Sequence, residues 1–490
     1  MVAGLNRLAA QFTESSEVLE AIALLSSGGD ERIELSGETR LNRYMAAPYP
    51  RDVMAFASST ANDISADAFT HVLGIMQSQP LAVADRFEEF RARLRAAYSL
   101  GDDIDVVFAP SGTDLEYVPL VCSMKRREGG LHNILLGADE VGRGCIHSAK
   151  GRFFAECTAL GVTTEPGQEI EGFPSISLAD IPVRAADGDA LASDRIAELA
   201  ATEFAVAQAS DRHPVLHIVH GSKTGLILPE IEDLDRLLEQ HAGQVTLVVD
   251  ACQARITTEA LHAYLDREAI VLVTGSKFMG GPTFSGFALV PASHRQRAPR
   301  LPQGLAAVSR RPEWPKGWPG AECLPDGTNE GLLLRLEASI FELERFQELP
   351  VAQIAEVVDT FQRTLRRVLV EPRGFSLVQP YPKASCHTGQ EHPVEMQTLA
   401  TIDIGELSDA TTFDGSIDLH GRLAMGGIRL GQPVKCVRHP EGGWGGTLRV
   451  GISMPQVVRW SAMEPSDRIA QMSADFRQIA KAMAKESVAA

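Results

Sequence analysis

The stretch VTLVVDACQARITTEALHAYLDREAIVLVTGSKFMGGPTFSGFALVP, from Val245 to Pro291, decides the fold. It holds two apolar runs, VTLVV and AIVLV. Asp250 ends the first and Lys277 follows the second, 27 residues further on (277 − 250). A strand, a helix through TTEALHAYLDRE and a second strand fit that length, which is the crossover that joins parallel neighbours in a sheet.

An acid and a lysine at the ends of two such strands match the needs of pyridoxal phosphate. A lysine amine forms an imine with the coenzyme aldehyde, and a carboxylate keeps the pyridine nitrogen protonated so that the ring can absorb electrons from a carbanion. Taken singly, Asp250 reads better as a helix cap and Lys277 as a solvated charge. The ordered set DACQ, TGSKF and GGP carries the signal jointly.

Two further segments lie upstream. DIDVVFAPSGTDLEYVPLV reads as a strand from Asp105 to Ala109, a turn at Pro110 to Thr113, and a helix opening near Asp114. A helix start suits an anion, and Gly112 lets the backbone approach a phosphate closely. Pro119 predicts a kink or an early end in that helix. In PVLHIVHGSKTGLILP the strand Val215 to Val219 runs into polar residues and a turn at Gly225, which presents Ser222 and Lys223.

On these motifs the chain resembles the fold type I pyridoxal phosphate enzymes, and within them the class V aminotransferase and cysteine desulfurase group, over roughly residues 100 to 330. The resemblance implies an α/β fold: a large domain with a mostly parallel seven-stranded sheet between helices, and a smaller α+β C-terminal domain. The expected division is an N-terminal arm with helices (1–75), a large coenzyme-binding domain (76–330) and a small domain (331–490). It also implies Lys277 as the imine partner, Asp250 at the pyridine nitrogen, and Gln253 and Ser222 at the phenolic oxygen. Ser111, Gly112, Thr113, Thr274 and Ser276 would hold the phosphate. Thr328, in DGTNEG, would reach the phosphate bound by the other subunit of a homodimer with shared active sites. Arg449 in TLRVGIS would take the substrate α-carboxylate, a task suited to a guanidinium fork, with Arg429 as runner-up.

The implied activity is that of an enzyme acting on a small α-amino acid, with a second co-substrate allowed. It would form an external aldimine, stabilise a Cα carbanion and proceed to transamination or to β/γ-elimination or replacement, in a specialised biosynthetic role. Carbon–carbon bond formation or decarboxylation is the alternative within the class, because coenzyme motifs do not separate these outcomes. A catalytically idle coenzyme-binding or partner-binding protein is the alternative outside it. The chain departs from the family pattern where a ring usually covers the coenzyme face: HNILLGADEVGRG offers Glu140 and Val141, leaving an aliphatic cover or a histidine such as His147. His220 near a strand end is the other histidine weighed for a role. The only thiol near Arg449 is Cys436, 13 residues ahead (449 − 436), too close for a reactive desulfurase loop.

Between the lysine strand and DGTNEG lies a basic, Pro-rich segment, His294 to Gly320, with Arg295, Arg297, Arg300, Arg310, Arg311 and Lys316 against Glu313 alone. It reads as a lid or intersubunit arm, or as a solvated loop. In the N-terminal part Tyr44, Arg51 and Ser58 are candidates for closing the pocket.

Composition agrees with a large core: 490 residues, 44% hydrophobic and 22% charged. A formal charge of −18 argues against nucleic acid as a partner. No apolar run approaches the roughly 18 residues of a membrane span, and the N-terminus does not read as a secretory signal, so a cytoplasmic protein is expected. The seven scattered Cys residues read as reduced thiols, and no metal is expected.

Overall fold

The computed structural model describes residues 15–78, 85–138, 140–141, 145–382, 395, 397–439 and 441–486. Residues 1–14, on which the reading of the N-terminus rests, lie outside them. In chain order the strands are β1 (Met54–Phe56), β2 (Ile104–Ala109), β3 (Leu131–Leu136), β4 (Ile176–Ile181), β5 (His213–His220), β6 (Ile227–Leu228), β7 (Thr246–Ala251), β8 (Ile270–Thr274), β9 (Gly286–Pro291), β10 (Ser376–Val378), β11 (Leu399–Asp403), β12 (Ile428–Leu430) and β13 (Thr447–Gly451).

The large sheet has the order β2-β9-β8-β7-β5-β3-β4. Neighbours from β8 to β4 pair in parallel, and β9 runs against both β2 and β8. Seven strands thus form the expected mostly parallel sheet, and the two-residue β6 adds an eighth as a hairpin on β5. β5 and β8 are buried along their whole length, as strands covered by helices on both faces must be. Leu216, Ile218, Val249 and Val271 pack into one core, Val215, Val248, Ile270 and Leu272 into the other. The crossover from β7 to β8 carries the helix Thr258–Leu265, with Thr257 as its N-cap.

The helix after β2 is broken into two pieces, Gly112–Leu115 and Tyr117–Ser123. Pro119 explains the break. Its ring would meet the carbonyl four residues back, at Leu115, and it brings no N–H to an unbroken helix, so the first piece stops there.

The basic segment is neither a lid over the cavity described below nor a solvated loop. Trp314 and Trp318 are buried in the second core with Leu301, Leu305 and Val308, against Val118 and Val121. Three of its cations pair with acids: Arg295 with Asp105 (2.9 Å), Arg297 with Glu268 (3.3 Å) and Arg311 with Asp326 (3.0 Å). The apolar anchors that make it a packed layer were legible as tryptophans, but their partners were not.

In the C-terminal part β10, β11 and β13 form an antiparallel sheet. β1 pairs in parallel with β12, so the N-terminal segment joins this part of the molecule. The helix Glu330–Gln347 is almost wholly buried. Its Arg335 donates to four carbonyl oxygens, of Leu25, Ser27, Gly28 and Phe284, and so ties the N-terminal segment to the turn before β9. Among the described residues no helix is long and apolar enough to cross a membrane, and no group of three or more His, Cys, Asp or Glu is placed to hold a metal.

Candidate active site

In a parallel sheet the segments that follow the strands emerge at one edge, and ligands bind there. Asp250 lies opposite Val219 of β5 and Leu272 of β8, so the residues after β5, β7 and β8 are brought side by side. Gly286, the first residue of the reversed β9, pairs with Thr274 and with Ala109, which adds the turn before β9 and the turn after β2 to the same edge. There the chain encloses a cavity of about 170 Å³. Of the residues singled out from the sequence, Ser111, Gly112, Thr113, Ser222, Asp250, Gln253, Thr274, Ser276 and Lys277 line it, with Glu140, Val141, Lys223 and Tyr44. Thr328 and Arg449 do not.

Lys277 Nζ lies 3.4 Å from the carbonyl oxygen of Ser59. Burial pushes its amine down to about 7, and the positive charges of Arg449 and Lys223 push the same way. The Ser59 carbonyl also accepts from Gln253 Nε2 (3.2 Å) and Arg449 Nη1 (3.1 Å). Asn62 holds the lysine backbone, donating to the carbonyls of Ser276 (3.1 Å) and Lys277 (2.5 Å). Asp250 accepts from the Cys252 amide at 3.0 Å. Burial raises its carboxyl, while the Cys252 amide and Lys277 oppose the rise.

Gln253 is held on both sides, since its Oε1 accepts from Arg255 Nη1 at 2.7 Å. Arg255 is itself fully buried, and burial takes its guanidinium down to about 9. Ser222 is more tightly engaged. Its Oγ donates to Glu140 Oε2 (2.9 Å) and accepts from the amides of Thr224 (3.3 Å) and Leu226 (3.2 Å). One hydrogen and two lone pairs are thereby used, so the expected contact with a phenolic oxygen would have to displace Glu140. Glu140 is buried, which opposes its charge. The Arg184 guanidinium (Nε–Oε1 2.6 Å) and the hydroxyls of Ser222 and Thr224 outweigh that and hold the carboxyl below its usual range.

Neither histidine enters the cavity. His147 packs beside Gly167, and His220 bonds to Tyr264 (3.1 Å) and faces Glu395 (3.4 Å). Val141 and Glu140, the residues expected in place of the family's ring, line the cavity. Cys436 is buried, its thiol pushed up to about 12, and it lies off the cavity.

Arg449 is buried with its guanidinium on neutral oxygens: Gln432 O (2.7 Å), Ser59 O, Lys223 O (3.1 Å) and Thr60 Oγ1 (3.1 Å). Arg429 is paired with Asp63 (3.1 Å), as is Arg51 (2.9 Å). Ser58 Oγ donates to the Ile452 carbonyl (2.6 Å) and accepts from Arg255 (2.7 Å). Thr328 is partly exposed, after Gly327 at φ +110°.

Sequence reasoning missed Arg32, Ser59 and Phe284. Arg32 lines the cavity close to Ser111, with Nη2 3.4 Å from Ser111 Oγ. Phe284 sits at φ +70°, a costly conformation for a bulky residue, and Arg335 holds its carbonyl at 2.7 Å. None of the three belongs to a motif. Ser59 acts through its carbonyl, for which side-chain patterns carry no signal.

By sequence, no protein-family model and no curated protein matches the chain. By structure it has the fold of the fold type I pyridoxal phosphate enzymes. The apo cysteine desulfurase of Thermococcus onnurineus NA1 is similar at TM-score 0.53 and 14% identity, over 88% of this chain and 95% of that one. A C-DES mutant with glycine covalently linked to its PLP cofactor is similar at TM-score 0.51 and 13% identity, over 87% and 96%. The ureidoglycine–glyoxylate aminotransferase of Bacillus subtilis is similar at TM-score 0.51 and 11% identity, over 87% and 92%.

Proposed function

We propose that this chain is a pyridoxal phosphate-dependent enzyme acting on a small α-amino acid, by transamination or by β/γ-elimination or replacement. One observation carries the reading: the Lys277 amine, lowered to about 7, and the half-buried Asp250 open on the same cavity. The cavity fits the coenzyme. Its lining runs from Asp250 and Lys277 to Ser111, Gly112 and Thr113, and Gly112 lies so close to Cys252 that a Cβ there would stand 2.9 Å from Sγ. The fold shared with the desulfurase and the aminotransferase supports the same reading.

When bound, the coenzyme supplies an electron sink for a carbanion at the substrate Cα. The residues supply the rest. An amine near 7 is divided between its neutral and protonated forms at neutral pH, so Lys277 is a nucleophile toward an aldehyde and, once released, can take a proton at Nζ and give it back. Asp250, half-buried near the end of β7, favours a cationic partner within its reach. Ser59 O fixes the position of Nζ, and Arg449 together with Lys223 keeps that amine from holding a proton too firmly. The buried Cys436 thiol gives no support to a persulfide. The catalytic unit in this reading is a homodimer, with Thr328 at the partner's phosphate.

The test is the visible absorbance of the purified protein with added pyridoxal phosphate, with and without Lys277→Ala, followed by a panel of amino acids. A yellow band that is lost in the variant and shifts with one amino acid supports the reading and names the substrate. A protein that stays colourless overturns it.

A further inference from the structure

Arg32 lines the cavity beside Ser111 with its guanidinium fixed in place. Asp30 holds one edge of its guanidinium with two hydrogen bonds, Nε to Oδ1 at 2.7 Å and Nη2 to Oδ2 at 2.6 Å. Two rings flank the group, Phe154 and Phe284, each centroid 5.3 Å from Cζ. The strained turn at Phe284 serves to place one of them. The remaining donors look toward Ser111 Oγ (3.4 Å) and Tyr44 Oη (3.5 Å), both on the cavity wall. A guanidinium fixed on one edge and flanked by two rings offers its other edge in one direction, which suits a tetrahedral oxyanion.

The surroundings make this cation necessary. Ser111, expected to bind phosphate, gives its hydrogen to Asp114 Oδ2 at 2.5 Å, and Thr274 gives its own to the Cys252 carbonyl at 2.7 Å. The helix Gly112–Leu115 is a single turn and brings little dipole. Asp30 and Asp114 stand beside the same spot, and carboxylates repel a phosphate.

We propose, building on the coenzyme reading above, that Arg32 is the principal cation for the phosphate monoester of the coenzyme and that Asp114 opposes it. The experiment compares dissociation constants of pyridoxal phosphate and of pyridoxal, which has the same ring and aldehyde without the phosphate. The variants are Arg32→Gln, Arg32→Lys and Asp114→Asn, each checked for native circular dichroism. Arg32→Gln weakens pyridoxal phosphate about ten- to a hundredfold and leaves pyridoxal within about twofold, because a charge-assisted contact is lost to one ligand only. Arg32→Lys, which keeps the stem and charge, falls between. Asp114→Asn tightens pyridoxal phosphate several-fold and leaves pyridoxal unchanged. Equal weakening of both ligands by Arg32→Gln and Arg32→Lys, or no weakening, overturns the proposal while the coenzyme reading stands. Wild-type protein that binds neither ligand overturns the coenzyme reading and this proposal together.

Discussion

At the lysine end of the cavity, Lys277, Arg255 and Arg449 donate to carbonyl, amide and hydroxyl oxygens, and no carboxylate accepts from them in the described residues. At the opposite end Arg32 is gripped by Asp30, with Asp114 close behind Ser111. Both ends are largely buried, and burial alone disfavours a cation. At the first end burial prevails, so Lys277 falls to about 7, Arg255 to about 9 and Arg449 to about 10. At the second, burial also opposes the charge of Arg32, but the bond to Asp30 and the nearby acids outweigh it and raise the group above its ordinary value. There the acid yields instead: burial and the charge of Asp30 lift Asp114 to about 7. The difference shows that the company of a buried cation, and not its depth, decides whether it can give up a proton. On the proposed roles the contrast is useful, since an imine-forming amine has to be neutral part of the time and a phosphate ligand has to stay charged.

The largest break in this comparison is Lys277→Ala. Turnover should fall by on the order of 10³-fold or more, as loss of a proton-transferring group does, and steady-state assay with the amino acid that shifts the absorbance band checks it. The same variant tests the electrostatics. A lysine whose folded value is about 7 against an ordinary 10.5 binds fewer protons folded than unfolded between those pH values. Stability of the coenzyme-free protein therefore carries the full penalty below pH 7 and gains as pH rises from 7 toward 10.5. Urea midpoints across that range should show the gain in wild type and lose it in Lys277→Ala.

Next in size is Arg335→Met, which leaves the carbonyls of Leu25, Ser27, Gly28 and Phe284 without their shared donor. Unfolding free energy should drop by about 2 kcal/mol, read from chemical denaturation, since Leu25 and Phe284 are buried and lose a donor at about 1 kcal/mol each, while Ser27 is exposed and the Gly28 carbonyl keeps Asn329 Nδ2. An unchanged denaturation midpoint would show that Arg335 does not brace the Arg32 end.

Arg449→Met sharpens the other end. Removing the strongest charge acting against Lys277 should raise the pH at which its amine titrates by roughly one unit. The pH dependence of coenzyme uptake by the stripped protein measures it. A rise in KM without that shift would favour the carboxylate-binding role expected from the sequence. The smallest effect is reserved for Ser222→Ala. Glu140 keeps Arg184 and Thr224, so coenzyme affinity should change less than about threefold. A tenfold loss by equilibrium dialysis would mean that Ser222 leaves Glu140 to serve the coenzyme.

The sheet and its edge were legible because they follow from short-range rules. VTLVV and AIVLV announce buried strands, and the crossover length orients them, so Asp250 and Lys277 had to emerge together. Gly112 was legible as a point of close approach, although the neighbour it spares is Cys252. The basic segment was not, because the side on which Trp314 and Trp318 bury depends on a helix almost two hundred residues earlier. Arg32 was not legible for the same reason: Phe284 and Ser111 reach it only through Arg335 and the meeting of β2 with β9.

By itself the sequence determined the parallel strands, the turns that follow them and the two residues fit for imine chemistry, since periodicity, crossover length and residue type are local properties. Tertiary structure alone decided which charges stand beside which, that Ser222 belongs to Glu140, that Ser59 offers its carbonyl to three donors and that Arg32 faces the cavity. Those outcomes depend on burial and on partners far apart in the chain, and the proton affinity of a buried group is set by nothing else.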